Sequence, residues 1–308
     1  MLSILLAKKI ASLFLIILTG ALLIRTKICR PEDSKVLSMF SVYLIMPCNI
    51  LAAFQVEGKD RVREGLLLAF AAAILVHIVL LLLGVLMRRT LRLDPVEQVS
   101  IIYPNAGNLI VPLVTALLGA DWVIYTSAYI SVQTALLWSH CKSTLCGERG
   151  IDLKKIFSNI NMIAVLIGIV LFVFDLRFPA IVQDAVSSVA GMVGPSAMLV
   201  TGMLIGSMDL RAIFRFKRLG LIVALRLLIV PVLIVLLLRF SGIASFVENG
   251  EMILLITLLA SISPSASTVT QMAQIYGRNA PYASAINVAT TLGCIVTMPL
   301  MVGLYQIL

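Results

Sequence analysis

Long apolar runs separated by short charged or turn-forming stretches predict helices at about 4–25, 34–56, 65–87, 97–118, 121–141, 157–175, 185–208, 218–238, 251–275 and 281–307. Each run approaches the ~20 residues that a helix needs to cross the hydrocarbon core. Composition points the same way. Of 308 residues, 60% are hydrophobic and 13% charged, with a mean hydropathy of +1.07, whereas a soluble domain is roughly 25% charged. Little chain is left for a soluble domain, so the sequence reads as one all-α integral membrane unit. Residues 1–141 hold five spans, 142–156 form a cytoplasmic connecting loop, and 157–308 hold five more.

The net charge of +9 raises nucleic acid as a partner, but the bases sit in short clusters between apolar runs, where they fix orientation in a bilayer. Of the 24 Lys and Arg, 7 fall on the face carrying the N-terminus and 16 on the other, with Arg226 inside a span. The bilayer, not a nucleic acid, is the expected partner. The richer face belongs in the cytoplasm, which puts both termini outside in a multi-pass protein of the cell (inner) membrane. The run after Lys8 and Lys9 is long enough to span and lacks a small-residue cleavage site, so it is not read as a cleavable signal. Five scattered cysteines give no disulfide framework.

Gly20, Pro31 and Pro47 recur as Gly168, Pro179 and Pro195, each displaced by 148 residues. Further along, Pro104 in span 4 corresponds to Pro264 in span 9. Five crossings separate equivalent elements, and because five is odd the second half must cross with opposite polarity. The expectation is a 5+5 inverted-topology repeat.

Span 4 reads IIYPNAGNLIVPLV and span 9 LLASISPSASTVTQMAQ. Proline inside a helix removes one donor and frees a carbonyl, and in hydrocarbon such orphan groups are tolerated only against protein or a water-filled cavity. Paired breaks therefore predict a cavity, with half-helix N-termini offering N–H groups to an anion. The expected site comprises Pro104, Asn105, Asn108, Ser263, Pro264 and Ser265, the amides and hydroxyls making neutral hydrogen bonds to a carboxylate. Gln133 in span 5 and Asn287 in span 10 stand in corresponding helices and either face the same cavity or bridge helices. Pro47 and Pro195 read first as structural kinks.

Ionisable residues inside the membrane count as functional by default, and only His77 and Arg226 qualify; every acid maps to a loop or span end. A buried carboxylate relay is thereby disfavoured. His77 either carries a proton or bridges helices. Arg226, about eight residues from the cytoplasmic end of its span, either snorkels or attracts the anion. His140, Cys141 and Cys146 fit no common metal spacing, and no Walker sequence is present. No cofactor, metal or enzymatic centre is expected.

The ten-span plan, the PNAGNLIVPL stretch of span 4 and QMAQIYGRNAPYASAINVATTLGCIVTMPL from span 9 into span 10 resemble the auxin efflux carrier family, which includes plant auxin exporters and bacterial carriers of malate or malonate. The resemblance covers nearly the whole chain. It implies a fold similar to bile-acid and sodium/proton antiporter-type carriers, with spans 4 and 9 crossing at their breaks. It also implies a homodimer with spans 1, 2, 6 and 7 as scaffold and spans 3–5 and 8–10 as a moving transport unit. Pro104, Asn105 and Pro264 match the family's breaks. The plant carriers have an acid in span 3 and a lysine in span 9, where this chain has His77 and Ser265. The expected function is an alternating-access secondary transporter of a small organic anion, the alternative being a carrier-like sensor that binds a metabolite without moving it.

Overall fold

A computed structural model describes residues 2–55, 59–147, 157–208 and 216–308, without the side chains of 2–10, 59–61 and 108. It is all-helical, with no strand among the described residues. In chain order the helices are α1 (Leu2–Arg25), α2 (Asp33–Ala53), α3 (Lys59–Leu91), α4 (Pro95–Ile102), α5 (Val111–Leu118) and α6 (Val123–Leu136). They continue as α7 (Ile160–Phe174), α8 (Ala180–Ser207), α9 (Leu219–Phe240), α10 (Gly250–Ser261), α11 (Ser267–Ile275) and α12 (Ala280–Ile307). Five of these helices, α2, α3, α8, α9 and α12, are long and apolar enough to cross a membrane. Large apolar side chains such as Leu22 of α1, Leu82 of α3, Val173 of α7, Leu228 of α9 and Val296 of α12 are exposed along the helix sides, as lipid contact requires. The chain is a multi-pass membrane protein.

Two expected spans are indeed divided. α4 begins with Asp94, whose carboxylate accepts the Glu97 N–H at 2.9 Å while Glu97 accepts that of Asp94 at 3.0 Å, a reciprocal N-terminal cap. It ends at Ile102 because Tyr103 precedes a proline and is driven into extended backbone, φ −98°, ψ 111°. A wide turn at Ala106–Ile110 then leads into α5. α10 likewise stops before Pro264, and the chain resumes helix at Ser267 after an extended Ala266, φ −66°, ψ 134°. Nearly all of α4 and α10 is buried, so the first halves of both divided segments form the interior.

Helix packing elsewhere uses small residues, as expected where apolar burial alone cannot join helices in lipid. A Cβ on Gly202 of α8 would collide with the Ile17 carbonyl of α1, and one on Gly20 of α1 with the Leu199 carbonyl of α8. Gly206 meets Ala21 in the same seam, and Gly168 of α7 lies under the Phe54 ring beyond α2.

Glu97 shows how an acid is accommodated at a helix end. It is 1% exposed, accepting from Tyr282 Oη at 3.0 Å and facing Arg218 at 3.3 Å. Glu251, first turn of α10, is held in the same manner by Tyr305 and Arg239. Arg218 just before α9, Arg239 near its end and two tyrosines of α12 thus meet the starts of both α4 and α10.

Candidate functional site

The two breaks cross and pair as a two-residue antiparallel bridge between Pro104 and Ser265. Asn105 N–H donates to the Pro264 carbonyl at 2.8 Å, and Ala266 N–H donates to the Tyr103 carbonyl at 2.9 Å. The other freed backbone groups are met by side chains. Gln133 Nε2 of α6 donates to the Pro104 carbonyl at 2.8 Å. Asn287 Nδ2 of α12 donates to the Ser265 carbonyl, and Ser265 N–H donates to Thr290 Oγ1 at 3.1 Å. One amide from each of two helices therefore satisfies one carbonyl in each break, which is how unwound backbone persists inside a membrane protein.

Arg226 closes the same structure from behind. Its guanidinium donates to the Ile101 carbonyl at 2.8 Å, to Ser261 at 2.8 Å and to Ser263. These are the carbonyl ends of α4 and α10, where the helix dipole is negative. The snorkelling expectation is corrected here: Arg226 is 0% exposed. Position along a span gives depth, but not which neighbours wait there, and two helix ends supply the acceptors that headgroups would have offered.

In front of the crossing lies a cavity of about 370 Å³. Of the residues named from the sequence, Pro104, Asn105, Gln133 and Asn287 line it, together with Ala106, Gly107, Ala266, Ser267 and Thr268, the opening residues of the two helical pieces that leave the breaks. The side chain of Asn108 lies outside the described residues. Ser263, Pro264 and Ser265 are not in the wall. Ser263 Oγ donates back to Ala260 O at 2.9 Å, the Pro264 carbonyl is engaged by Asn105, and Ser265 Oγ is buried without a partner. The reason is local: span 9 turns its 267–268 side, not its 263–265 side, to the open space.

His77 also lies away from the wall. Its Nδ1 donates to Ala73 O of its own helix at 2.7 Å, and its ring packs on Tyr129 with centroids 4.5 Å apart. It therefore makes no helix-bridging hydrogen bond through Nδ1, and Nε2 has no partner. Tyr103 Oη reaches His140 Nδ1 at 2.9 Å and the Leu136 carbonyl at 3.2 Å, tying the break to the end of α6. Among the described residues no cluster could hold a metal ion.

The remaining wall was not foreseen. Met46, Tyr43 and Ser41 come from α2, Thr201 and Leu204 from α8, and Trp138 with Leu137 follows α6; Gln271 of α11 and Asn159 before α7 complete the ring. Ser38, Ser41 and Thr201, polar positions in apolar helices, were the available signal for α2 and α8.

A family model described as membrane transport protein matches the chain twice, over residues 5–150 and 149–302. No curated protein matches it.

Proposed function

Because the chain belongs to the membrane transport protein family, the auxin efflux carriers, we propose that it is a secondary transporter moving a small organic anion, a carboxylate, across the cell membrane by alternating access. That family is one of membrane transport, not of enzymes. The observation that carries the reading is the division of the four half-helix ends. The carbonyl ends of α4 and α10 face Arg226, while the opening residues of the pieces leading into α5 and α11 face the cavity. Each helix terminus carries roughly half an elementary charge. One guanidinium therefore offsets two negative ends, and two positive ends remain for a guest.

The cavity also suits a moving part. In the family's arrangement α1, α2, α7 and α8 form the scaffold and the rest the transport unit; the cavity wall draws on α2 and α8 from the first group and on the breaks, α6, α11 and α12 from the second. The close α1–α8 seam at Gly20 and Gly202 and the matching Gly168–Phe54 contact support a 5+5 inverted repeat, residues 1–141 and 157–308 about the 142–156 loop, and the scaffold is where a homodimer would join. Ser38, Asn159, Leu204 and Gln271 stand toward the helix ends that the charge distribution assigns to the cytoplasm, which supports reading this state as inward-open with both termini outside. Moving one negative charge outward through a negative-inside potential gains about 2.3 kcal/mol per 100 mV, so export needs no co-ion.

The test is flux of labelled carboxylates in proteoliposomes. Asn105→Ala and Ser267→Ala are expected to lose substrate-specific flux while eluting as the wild-type assembly does. Wild-type flux in both would remove the site.

A further inference from the structure

We infer that the end of α3 and the start of α9 form a docking surface for an acidic phospholipid, its phosphate held by Arg89, Arg92 and Lys217 and its acyl chains lying along the outer sides of the two helices. Such a site is independent of what the cavity carries. Helix α3 closes at Leu91, and Arg92 follows it in the left-handed region at φ 53°. The carbonyls of Leu91 and Arg92 accept from Arg218 at 2.7 and 3.2 Å. One side chain from the start of α9 therefore ties the two helix ends together and answers the negative end of the α3 dipole. Arg88 is also engaged, donating to the Gln98 amide oxygen at 3.1 Å. The acids at this end are used in turn: Asp94 caps α4, and the buried Glu97 is held by Tyr282 and Arg218. What remains is positive. Arg89, Arg92 and Lys217 are exposed, and among the described residues none of these three side chains has an ion-pair or hydrogen-bond partner.

Orienting a chain in a bilayer requires bases on one side, but not that they stand together unopposed. The connection from α1 to α2 gives the contrast. There Lys27, Arg30 and Lys35 are interleaved with Glu32 and Asp33, and Arg25 is engaged by the Met208 carbonyl. At the α3–α9 end the surplus charge also stands where apolar surface begins. Leu82 and Leu86 precede Arg89 by two turns and one turn of α3 and are exposed, and Leu221 is exposed one turn beyond Lys217. Gly220 beside it is exposed, and a Cβ there would meet nothing within 4 Å. A free phosphate has no use for such stripes. An acidic phospholipid carries an anion joined to acyl chains, which is the same sequence of charge and apolar surface, and bases next to a membrane helix draw such lipids by about fivefold in affinity each.

The probes are dioleoylphosphatidylglycerol and dioleoylphosphatidylcholine, each added to the purified full-length protein in mixed detergent micelles, with inorganic phosphate as the anion without chains. Phosphatidylglycerol is expected to raise the unfolding temperature saturably, and the other two are expected to leave it unchanged. A triple variant, Arg89→Gln with Arg92→Gln and Lys217→Gln, should need at least about tenfold more phosphatidylglycerol for the same rise. Lys27→Gln with Lys35→Gln, which removes exposed charge elsewhere on the same side, should respond as wild type does. In liposomes, spin-labelled phosphatidylglycerol should be motionally restricted by the wild-type protein in excess over spin-labelled phosphatidylcholine, and the triple variant should lose that excess. An equal response to the two lipids or to inorganic phosphate overturns the site. So does a triple variant that responds as wild type does, or a Lys27 and Lys35 pair that loses as much as the triple variant.

Discussion

The Asn105 N–H donates to the Pro264 carbonyl across 2.8 Å, so the two breaks are one structural unit and not two kinks that happen to be near. Each proline has no N–H to give, and each strand of the crossing supplies what the other lacks. Gln133, Asn287, Thr290 and Arg226 complete the hydrogen bonding. Under the proposed alternating access, any movement must leave this crossing intact, because opening it would expose several unpaired backbone groups at once.

Arg226 is the most sensitive position. Arg226→Met removes the donors from three carbonyl oxygens in a fully buried place, and each buried acceptor left without a partner costs about 1–3 kcal/mol. Arg226→Lys keeps the charge but concentrates it on one nitrogen, which cannot fork between Ile101 and Ser261. Both variants should unfold at lower temperature than wild type in detergent, Met more than Lys. An unchanged unfolding temperature for Arg226→Met would mean that the carbonyl ends do not need the guanidinium.

Gln133 and Asn287 should behave as a pair. Gln133→Leu orphans the Pro104 carbonyl and is expected to destabilise by about 1–3 kcal/mol, with Asn287→Leu doing the same at Ser265. Gln133→Glu goes further, since it loses the donor and places a negative charge in the wall facing an anionic guest. Its KM for a transported carboxylate should rise more than that of Gln133→Leu. Equal KM values in the two variants would argue that the guest carries no negative charge near α6.

Much of this was legible in sequence because proline and polar residues are conspicuous in apolar helices. The breaks at Pro104 and Pro264, and the amides Gln133 and Asn287, follow from a missing N–H and from the cost of a polar group in lipid. What was not legible was direction. Periodicity stops at a break, so nothing in the spacing says that Ser263 and Ser265 turn inward while Ser267 and Thr268 face the cavity. For Arg226 the sequence offers only snorkelling or attraction of the anion, because its partners, Ile101 and Ser261, lie far away in sequence. Met46, Trp138 and Thr201 join the wall only through tertiary packing, and each alone looks like an ordinary core or lipid-facing residue.

The α1–α8 seam gives a control that is purely steric. Gly202→Leu drives a side chain into the Ile17 carbonyl, and Gly206→Leu into Ala21; backbone on both sides leaves neither anywhere to yield. Loss of folded protein is expected for both, whereas Gly303→Leu on α12, where a Cβ meets nothing within 4 Å, should fold and transport normally. Recovery of active Gly202→Leu protein would show that this seam is loose.

Alternating access predicts a change in which side reaches the wall. Thr268 stands at the start of α11 inside the cavity, which in the proposed orientation communicates with the cytoplasmic face. Of the five native cysteines, Cys141 and Cys294 are buried and the other three are partly exposed, so those three are changed to Ser before labelling. A Thr268→Cys variant in that background should react with a membrane-impermeant thiol reagent in inside-out vesicles and be shielded by transported substrate. In right-side-out vesicles, labelling should be slow and should accelerate when the outward-open state is populated by external substrate. A binder that never moves its ligand gives the first result without the second. Labelling from the external side alone would reverse the orientation of the whole chain and place the termini in the cytoplasm.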